Sequence, residues 1–549
     1  MHLSDSAANS IATLDYRAFK WCFRMGKQKE MNLINYTIQE CFYRRIKETP
    51  QALAYHFGEH EYSWAQAGKI SLALAEELRR QGVKKGQRIG LLSINSEAWI
   101  FYFFALQLLG AQPVLLNTAL SDDEILRNIE LTEVNYLYYG EGYHRSFEEL
   151  MKRLGLICMR RSYLGSRKMR TDGWKEMLAS AVEMAADVSE HEVCCFLFTS
   201  GTTKAAKAVM LTHYNLLNNA RAIAEAMHWQ ADDRMCVAVP FFHCFGLTAC
   251  ILAGLEMGFP LYVLDHYRTV QVCGMLQEHR CTILNGVPSM FLAMKHNAAH
   301  REYDLSSVCS GVIAGSPIFE NDYYDICRMF RPDLHLQPSY GQTESSPCIT
   351  IAAYDDDLKT KATTVGRPIE HIQLRLVDVD TGRLCAAGER GMIQTKGYHV
   401  MKGYYAMPEE TAEAITPDGW LITGDIGYLD EHGYLHISGR GKNLIIRGGE
   451  NISPEEIEYY IRKIDGVEQV KVMGVPAAVL QEEIAACIVP LRKDLTKEEI
   501  IAELKQNLAD YKIPRYIFFL NEIERLASGK IDEKKLLKII LRKVKELSG

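Results

Sequence analysis

Two rhythms of hydrophobic and polar positions alternate along this chain. Runs such as "RIGLLSI" from Arg88, "MCVAVP" from Met235 and "PLYVLD" from Pro260 are short, β-branched and closed by turn residues, as buried strands are. Between them lie amphipathic stretches at helical spacing, among them "SWAQAGKISLALAEELRRQG" from Ser63 and "YDICRMF" from Tyr324. The alternation runs from about Met31 to Tyr434 and predicts an α/β domain with largely parallel sheets. After Thr363 the helical patterns thin out. "HIQLRLVDVDTGRLC" reads as a hairpin around Asp380, Thr381 and Gly382, so a β-rich subdomain is expected to close the large domain. The most apolar segment, "AWIFYFFALQLLGAQPVLL" from Ala98, is broken by Gln107, Gln112 and Pro113; it predicts a buried helix, a glycine turn and a strand, not a membrane span.

A second boundary falls in "ISGRGKNLIIRGGENISPEEIE" from Ile437, where glycines and charges cluster. Beyond it come a helix from Pro454, strands around Val470 and Ala485, and a helix from Lys497. Pro454, Glu455 and Glu456 suit a helix's first turn, where proline loses no hydrogen bond and carboxylates meet the positive dipole end. The expected organisation is an N-terminal extension over 1–30, polar, irregular and read as disordered; a large domain over 31–438; and a small, mobile α+β domain over 439–549.

Composition narrows the class. A chain of 549 residues is too long for one hydrophobic core. A net charge of −7 gives no electrostatic reason to expect nucleic acid as a partner. The 15 cysteines are scattered, with no Cys-x-x-Cys pair or zinc spacing, so reduced thiols in a cytoplasmic protein are expected. No signal-peptide pattern opens the chain.

The chemistry begins at "FLFTSGTTKAAKAVMLTHYNL" from Phe196, where an apolar run stops at Thr199 and a helix-like pattern returns at Val209. Ser200, Thr202 and Thr203 offer hydroxyls, Gly201 lets backbone amides approach a ligand, and Lys207 supplies charge. That inventory suits polyphosphate oxygens; it equally suits a polar turn with solvated lysines, and it is not a Walker loop. "PSYGQTESSP" sets Tyr340, Thr343 and Glu344 beside a glycine turn, where a carboxylate could hold magnesium. "GWLITGDIGYLDEHGYLHISGR" carries Asp425, whose carboxylate suits vicinal hydroxyls, with Arg440 shortly after; Asp430 to Gly433 form a hairpin turn.

Together with "PFFHCFG" at Pro240, "AGSPI" at Ala314, "GRGKN" at Gly439, "RGGENISPEEIE" at Arg447 and "ASGKID" at Ala527, these stretches occur in the order of a known family. The chain resembles the adenylate-forming superfamily over essentially everything from Met31 onward, and within it the AMP-forming acyl-CoA synthetases. The resemblance implies ATP-dependent activation of a small carboxylic acid to an acyl-adenylate, then transfer to CoA, with Mg²⁺ as the accompanying ion. By resemblance, Thr199, Ser200, Gly201, Thr202, Thr203 and Lys207 enclose the β- and γ-phosphates, Thr343 touches the α-phosphate and Glu344 holds the metal. Asp425 binds the ribose hydroxyls with Arg440 assisting, and Gly315, Ser316, Pro317 and Tyr340 pack against adenine. The resemblance further implies that Lys530 is the key adenylation residue, that Lys442 is the hinge about which the small domain turns to bring Gly448 and Gly449 to the CoA side, and that His243 gates the acyl and CoA channels, a packed histidine being the alternative.

The phosphate loop departs from the family pattern: Lys204 and Ala208 stand where glycine is usual and Ala206 where proline is usual. Alanine is tolerated there only at ordinary backbone angles. No acid sits in "PFFHCFG", so a substrate without an amino group is expected. "VMGVPAAVLQEEIAACIV" and "YKIPRYIFFL" look most like medium-chain fatty acyl-CoA synthetases. An acyl carrier protein is the alternative acceptor, an inert nucleotide-binding relative the alternative class, and a homodimer is compatible with the sequence. The basic stretch "CMRRSYLGSRKMR" from Cys158 reads as a solvated loop.

Overall fold

A computed structural model describes residues 32–134, 136–140, 158–161, 187–199, 206–440, 444–492, 494–524 and 531–548. The extension read over 1–30 lies outside them, as do Ser200, Gly201, Thr202, Thr203, Lys204, Lys442 and Lys530.

Ser63 starts the helix Trp64–Arg80 because its hydroxyl accepts the Gln66 amide while the Gln66 side chain accepts the Ser63 amide. The buried stripe of Trp64, Ala67, Ser71, Leu74, Ala75 and Leu78 follows the helical period. The apolar segment from Ala98 resolves as expected: helix Glu97–Leu108, a turn at Gly110 with φ of 61°, and strand Gln112–Leu116. Every residue from Trp99 to Leu108 is buried, the condition under which a helix apolar on all sides is stable in water. Phe104 stacks on Phe42 with ring centroids 4.2 Å apart, and the buried Gln107 amide donates to the Cys194 carbonyl at 3.0 Å. Among the described residues no helix is long and apolar enough to cross a membrane.

Two mixed, parallel-rich sheets organise the first 400 residues. In the seven-stranded sheet, Val193–Thr199, Gln112–Leu116, Arg88–Leu92, Tyr136–Tyr139 and Cys158–Arg161 lie in parallel order. The first residues of the basic stretch are thus an edge strand, not a loop; a row of backbone donors and acceptors on Tyr136–Tyr139 gave them a partner. The nine-stranded sheet runs parallel through its centre, from Leu53–Phe57 to His335–Gly341, with antiparallel strands at both edges.

One local expectation is corrected. The run from Val209 is not helical: Lys207–Thr212 is a strand antiparallel to Val193–Thr199, pairing Thr199 with Lys207 and Phe198 with Ala208. The helix starts only at His213, where Thr212 caps the Asn215 amide. The strands on either side of the phosphate-loop segment are therefore antiparallel neighbours.

Gln373–Val377, Gly391–Lys396, Leu421–Leu429 and Leu435–Arg440 form the expected β-rich subdomain, all antiparallel. Its first strand pairs mainly with Gly391–Lys396; the turn at Asp380 to Gly382 closes on a single bridge between Val377 and Leu384. The C-terminal lobe has its own five-stranded sheet and its own apolar core around Ile445, Ile457, Ile484 and Leu504, with helices Pro454–Ile461 and Lys497–Asn507 where the sequence places them.

Candidate active site

A cavity of about 970 Å³ opens where the C-terminal lobe meets the large sheets. Thr199, Ala206, Lys207, Glu344, His243 and Gly449 all line it, although they come from five separate parts of the chain.

On one side the hairpin end of Thr199 faces the single 3₁₀ turn Thr343–Ser345, which follows strand His335–Gly341. The Thr199 hydroxyl lies 3.4 Å from Glu344 Oε1, and the Tyr404 hydroxyl donates to the same oxygen at 2.8 Å. Lys207 Nζ sits 4.6 Å from the centroid of the Tyr404 ring, a cation held over an aromatic face. Burial and the Glu344 charge push the Tyr404 phenol far above its ordinary range, so it remains a donor. Tyr404 was absent from the sequence-based site. It arrives because strand Gly403–Tyr404 pairs with Lys207–Thr212, a contact across almost 200 residues that no local motif marks. Among the described residues no group of three or more His, Cys, Asp or Glu could hold a metal. One carboxylate beside a hydroxyl still fits Mg²⁺, which takes one or two carboxylates and keeps water and phosphate oxygens for the rest.

Ala208 carries no strain: it is buried within the strand, pairs with Phe198, and its carbonyl accepts the Tyr405 amide at 2.9 Å. Glycine at that place would offer no conformational advantage.

The second group gathers at the β-rich subdomain. Tyr340 donates its hydroxyl to Asp425 Oδ2 at 2.7 Å, and Asp425 is 3% exposed. Arg440 is the cross-strand partner of Asp425 in the hairpin register. Tyr340 and Asp425 each stand next in the chain to a residue lining the cavity, Gly341 and Gly424. Gly315, at φ of 95°, lines it directly; the Ser316 hydroxyl is buried without a partner, and the Pro317 carbonyl accepts the Gln481 amide from the C-terminal lobe.

The third group is built by that lobe. Strands Ile445–Arg447 and Glu450–Ile452 form a hairpin whose turn residues, Gly448 and Gly449, have φ of 63° and 93°. The turn enters the cavity so closely that a Cβ on Gly449 would lie 3.2 Å from Val287 Cγ1. Glu450 Oε1 then reaches His243 Nε2 at 3.0 Å. Burial alone would lower the His243 pKa, but the Glu450 carboxylate outweighs it and the net shift is upward; burial opposes ionisation of Glu450 too, yet His243 holds its carboxyl below the ordinary range. His243 was foreseen; Glu450 was not, although "RGGEN" contains it. Among the described residues none after Lys512 lines the cavity, and the segment flanking Lys530 is pinned elsewhere: the Asp532 amide donates to the Glu524 carbonyl, and Ile531 packs in a cluster with Phe518 and Leu536.

Comparison with known proteins meets this geometry. The model of the AMP-binding enzyme family matches residues 42–405, and that of the AMP-binding enzyme C-terminal domain matches 456–530. The chain belongs to the AMP-binding enzyme family. Among relatives of this AMP-binding enzyme, YngI of Bacillus subtilis, an acyl-CoA synthetase by name, is 36% identical over 88% of this chain and 93% of its own. A mitochondrial medium-chain acyl-CoA ligase of Bos taurus, ACSF2, is 30% identical over 92% of this chain and 88% of its own. The fold is shared with a doubly substituted o-succinylbenzoate CoA synthetase of Bacillus subtilis bound with its product analogue OSB-NCoA: the TM-score is 0.78 at 24% identity, over 90% of this chain and 98% of that one.

Proposed function

We propose that this AMP-binding enzyme is an acyl-CoA synthetase that works in two steps within one cleft, with a medium-chain fatty acid as the favoured acid. A carboxylate oxygen attacks the α-phosphorus of ATP, the bond to pyrophosphate breaks, and an acyl-adenylate remains. The thiol sulfur of CoA then attacks the acyl carbon, the bond to AMP breaks, and acyl-CoA leaves. Both nucleophiles come from substrates, so the protein's task is to position anions and balance charge.

Thr199 and Lys207, with Ser200, Gly201, Thr202 and Thr203, hold the phosphate tail, while Thr343 donates to the α-phosphate. Glu344 is the carboxylate that would hold Mg²⁺, whose charge screens the phosphates from the incoming acid anion. Asp425 accepts from the ribose hydroxyls beside Tyr340 and Arg440, and Gly315, Ser316 and Pro317 border the adenine. Lys530 bridges carboxylate and α-phosphate in the first step. The lobe then turns about Lys442, Lys530 leaves and the glycine hairpin enters.

The observation that carries this reading is the docked hairpin. Gly449 lies on Val287 and Glu450 on His243, in a cavity that also holds Thr199 and Glu344, whereas the flanks of Lys530 pack outside it. That is the arrangement the second step requires. CoA is favoured over a carrier protein by the names of the relatives. An acid without an ammonium group is favoured by the absence of an acid from "PFFHCFG"; Glu450 and Asp265, two of the carboxylates at this cleft, are moreover each paired with a histidine, at 3.0 Å in both cases. Phe242, Phe245, Tyr267 and Met290 give the same region an apolar lining. ATP–pyrophosphate exchange over a panel of carboxylic acids tests the first step, and acyl-CoA formation on adding CoA tests the second. Exchange with no acid at all would refute the reading.

A further inference from the structure

The C-terminal lobe makes one ionic contact with the large domain that the two-step reading does not use. Lys512 ends the 3₁₀ turn Asp510–Lys512, and its Nζ lies 2.5 Å from Glu124 Oε1 and 3.0 Å from Glu456 Oε2. The three side chains are 7%, 6% and 16% exposed, so this is an interior cluster and not a surface pair. Its two arms differ. Glu456 opens helix Pro454–Ile461 and belongs to the same lobe as Lys512, whereas Glu124 sits in the first turn of helix Asp122–Leu131 in the large domain. Any turn of the lobe keeps the first contact and must break the second.

Glu124 is held ready for this contact by its own helix. Its Oε2 accepts the Ser121 amide and hydroxyl, both at 2.9 Å, in a capping box, which leaves Oε1 free to receive Lys512. The surroundings confirm a fitted surface. The Ser121 hydroxyl reaches the Asn507 carbonyl at 3.2 Å, and Ala509 is buried in one apolar cluster with Leu120 and Ile125. The contact is also wired to the glycine hairpin: Arg447, at the edge of its turn, donates to the Tyr511 carbonyl at 2.7 Å, one residue from Lys512, and to Glu483 at 2.7 Å. A buried ion pair adds little net stability, because desolvation offsets its attraction, but it penalises every arrangement that leaves one partner buried and unpaired. It is therefore better suited to choosing between arrangements than to holding the fold.

We propose that Lys512, through Glu124, is a positioning residue for acyl transfer: a latch that holds the lobe with its glycine hairpin in the cleft. The proposal rests on the two-step reading above, and the experiment separates the two. Glu124→Gln keeps an acceptor for the helix cap while removing the charge that Lys512 meets. Three readouts are compared in Glu124→Gln, Lys512→Met, Lys512→Arg and the Glu124→Gln/Lys512→Met double variant: ATP–pyrophosphate exchange, single-turnover transfer from supplied acyl-AMP to CoA, and amide hydrogen exchange over residues 505–513. In Glu124→Gln the transfer step should slow about tenfold, equivalent to about 1.4 kcal/mol in the balance of arrangements, while pyrophosphate exchange stays within about twofold. The double variant should slow transfer by less than the product of the single effects, and Lys512→Arg should recover part of the loss. Equal loss of both steps, or multiplicative effects, would overturn the latch and leave a merely structural contact. If the wild-type enzyme exchanges pyrophosphate with no acid, the functional reading fails on its own. Hydrogen exchange still decides the contact: faster exchange over 505–513 in Glu124→Gln supports it, unchanged exchange removes it.

Discussion

Gly449 offers the sharpest test of the docked arrangement, because one substitution there has two costs that fall on different states. The first is conformational. At φ of 93° an L-residue is strained, by about 1–2 kcal/mol, wherever the lobe happens to be. The second exists only when the hairpin is in the cleft, since a Cβ would stand 3.2, 3.3 and 3.4 Å from Val287 Cγ1, Cγ2 and Cβ. Val287 precedes Pro288 at the start of helix Pro288–His296, which restricts its backbone, so relief must come from its side chain. Overpacking of this kind costs about 1–3 kcal/mol, a loss of about 5- to 150-fold in the step that needs the docked state. Gly449→Ala should therefore slow single-turnover transfer from acyl-AMP to CoA by about tenfold and Gly449→Val by more, with pyrophosphate exchange nearly kept. Val287→Ala removes both Cγ atoms and leaves the nearest contact at 3.4 Å, an ordinary separation, so the double variant Gly449→Ala/Val287→Ala should regain most of the loss. Slowing of both half-reactions alike, or no recovery on trimming Val287, would refute the reasoning.

Lys530→Ala should abolish pyrophosphate exchange yet retain thioester formation from supplied acyl-AMP; equal loss of both counts against the division of labour between Lys530 and the glycine hairpin. The His243–Glu450 pair sets a pH window for docking. His243 titrates above its ordinary range, so its contribution is complete below that range and is lost as pH rises through the raised value; Glu450 titrates below its ordinary range, so its contribution is complete above it and is lost as pH falls through the lowered value. In Glu450→Gln burial acts on His243 unopposed, and its NMR titration should move below the ordinary histidine value; an unmoved midpoint removes the pair from the account. Asp425→Ala takes away a buried carboxylate, and a hydrogen bond to a charged group is worth about 1.5–3 kcal/mol, so the KM for ATP should rise about 10- to 150-fold. Tyr340→Phe removes one donor to the same carboxylate and should raise it less, and a larger effect from Tyr340→Phe would place the ribose contact elsewhere.

Much of the fold was legible because its elements carry local chemistry. The amphipathic spacing from Ser63 announces a helix, the apolar run from Ala98 to Leu106 announces a buried one, and Pro454 with two glutamates announces the helix of the C-terminal lobe. The misreading at Val209 has the opposite cause. "VMLTHYNLL" is apolar through both a strand and the first turn of a helix, and a short apolar run has no period of its own. What decides the matter is the neighbouring strand Val193–Thr199, which presents a ladder edge to Lys207–Thr212. The same pairing removes the worry over Ala208: in extended backbone alanine costs nothing.

The site divides along the same line. Residues proposed to meet the substrate through their own chemistry, such as Thr199, Glu344, Asp425 and Lys207, sit in motifs whose order along the chain is itself a signature. The pairings between the lobes are not legible in this way, even where a member sits in a motif, because the partners are remote. His243 finds Glu450 across 207 positions and Lys512 finds Glu124 across 388. Nothing within a window of 20 residues distinguishes Lys512 from a solvated lysine, or Glu124 from a helix cap that ends its duties at Ser121. Their burial is a property of the assembled lobes, and so is the selection they exert. A cap that satisfies one carboxylate oxygen and offers the other to a second lobe costs no additional folding determinant. That economy makes Glu124 the residue at which local structure and the choice between the two reaction steps can be uncoupled by a single change of charge.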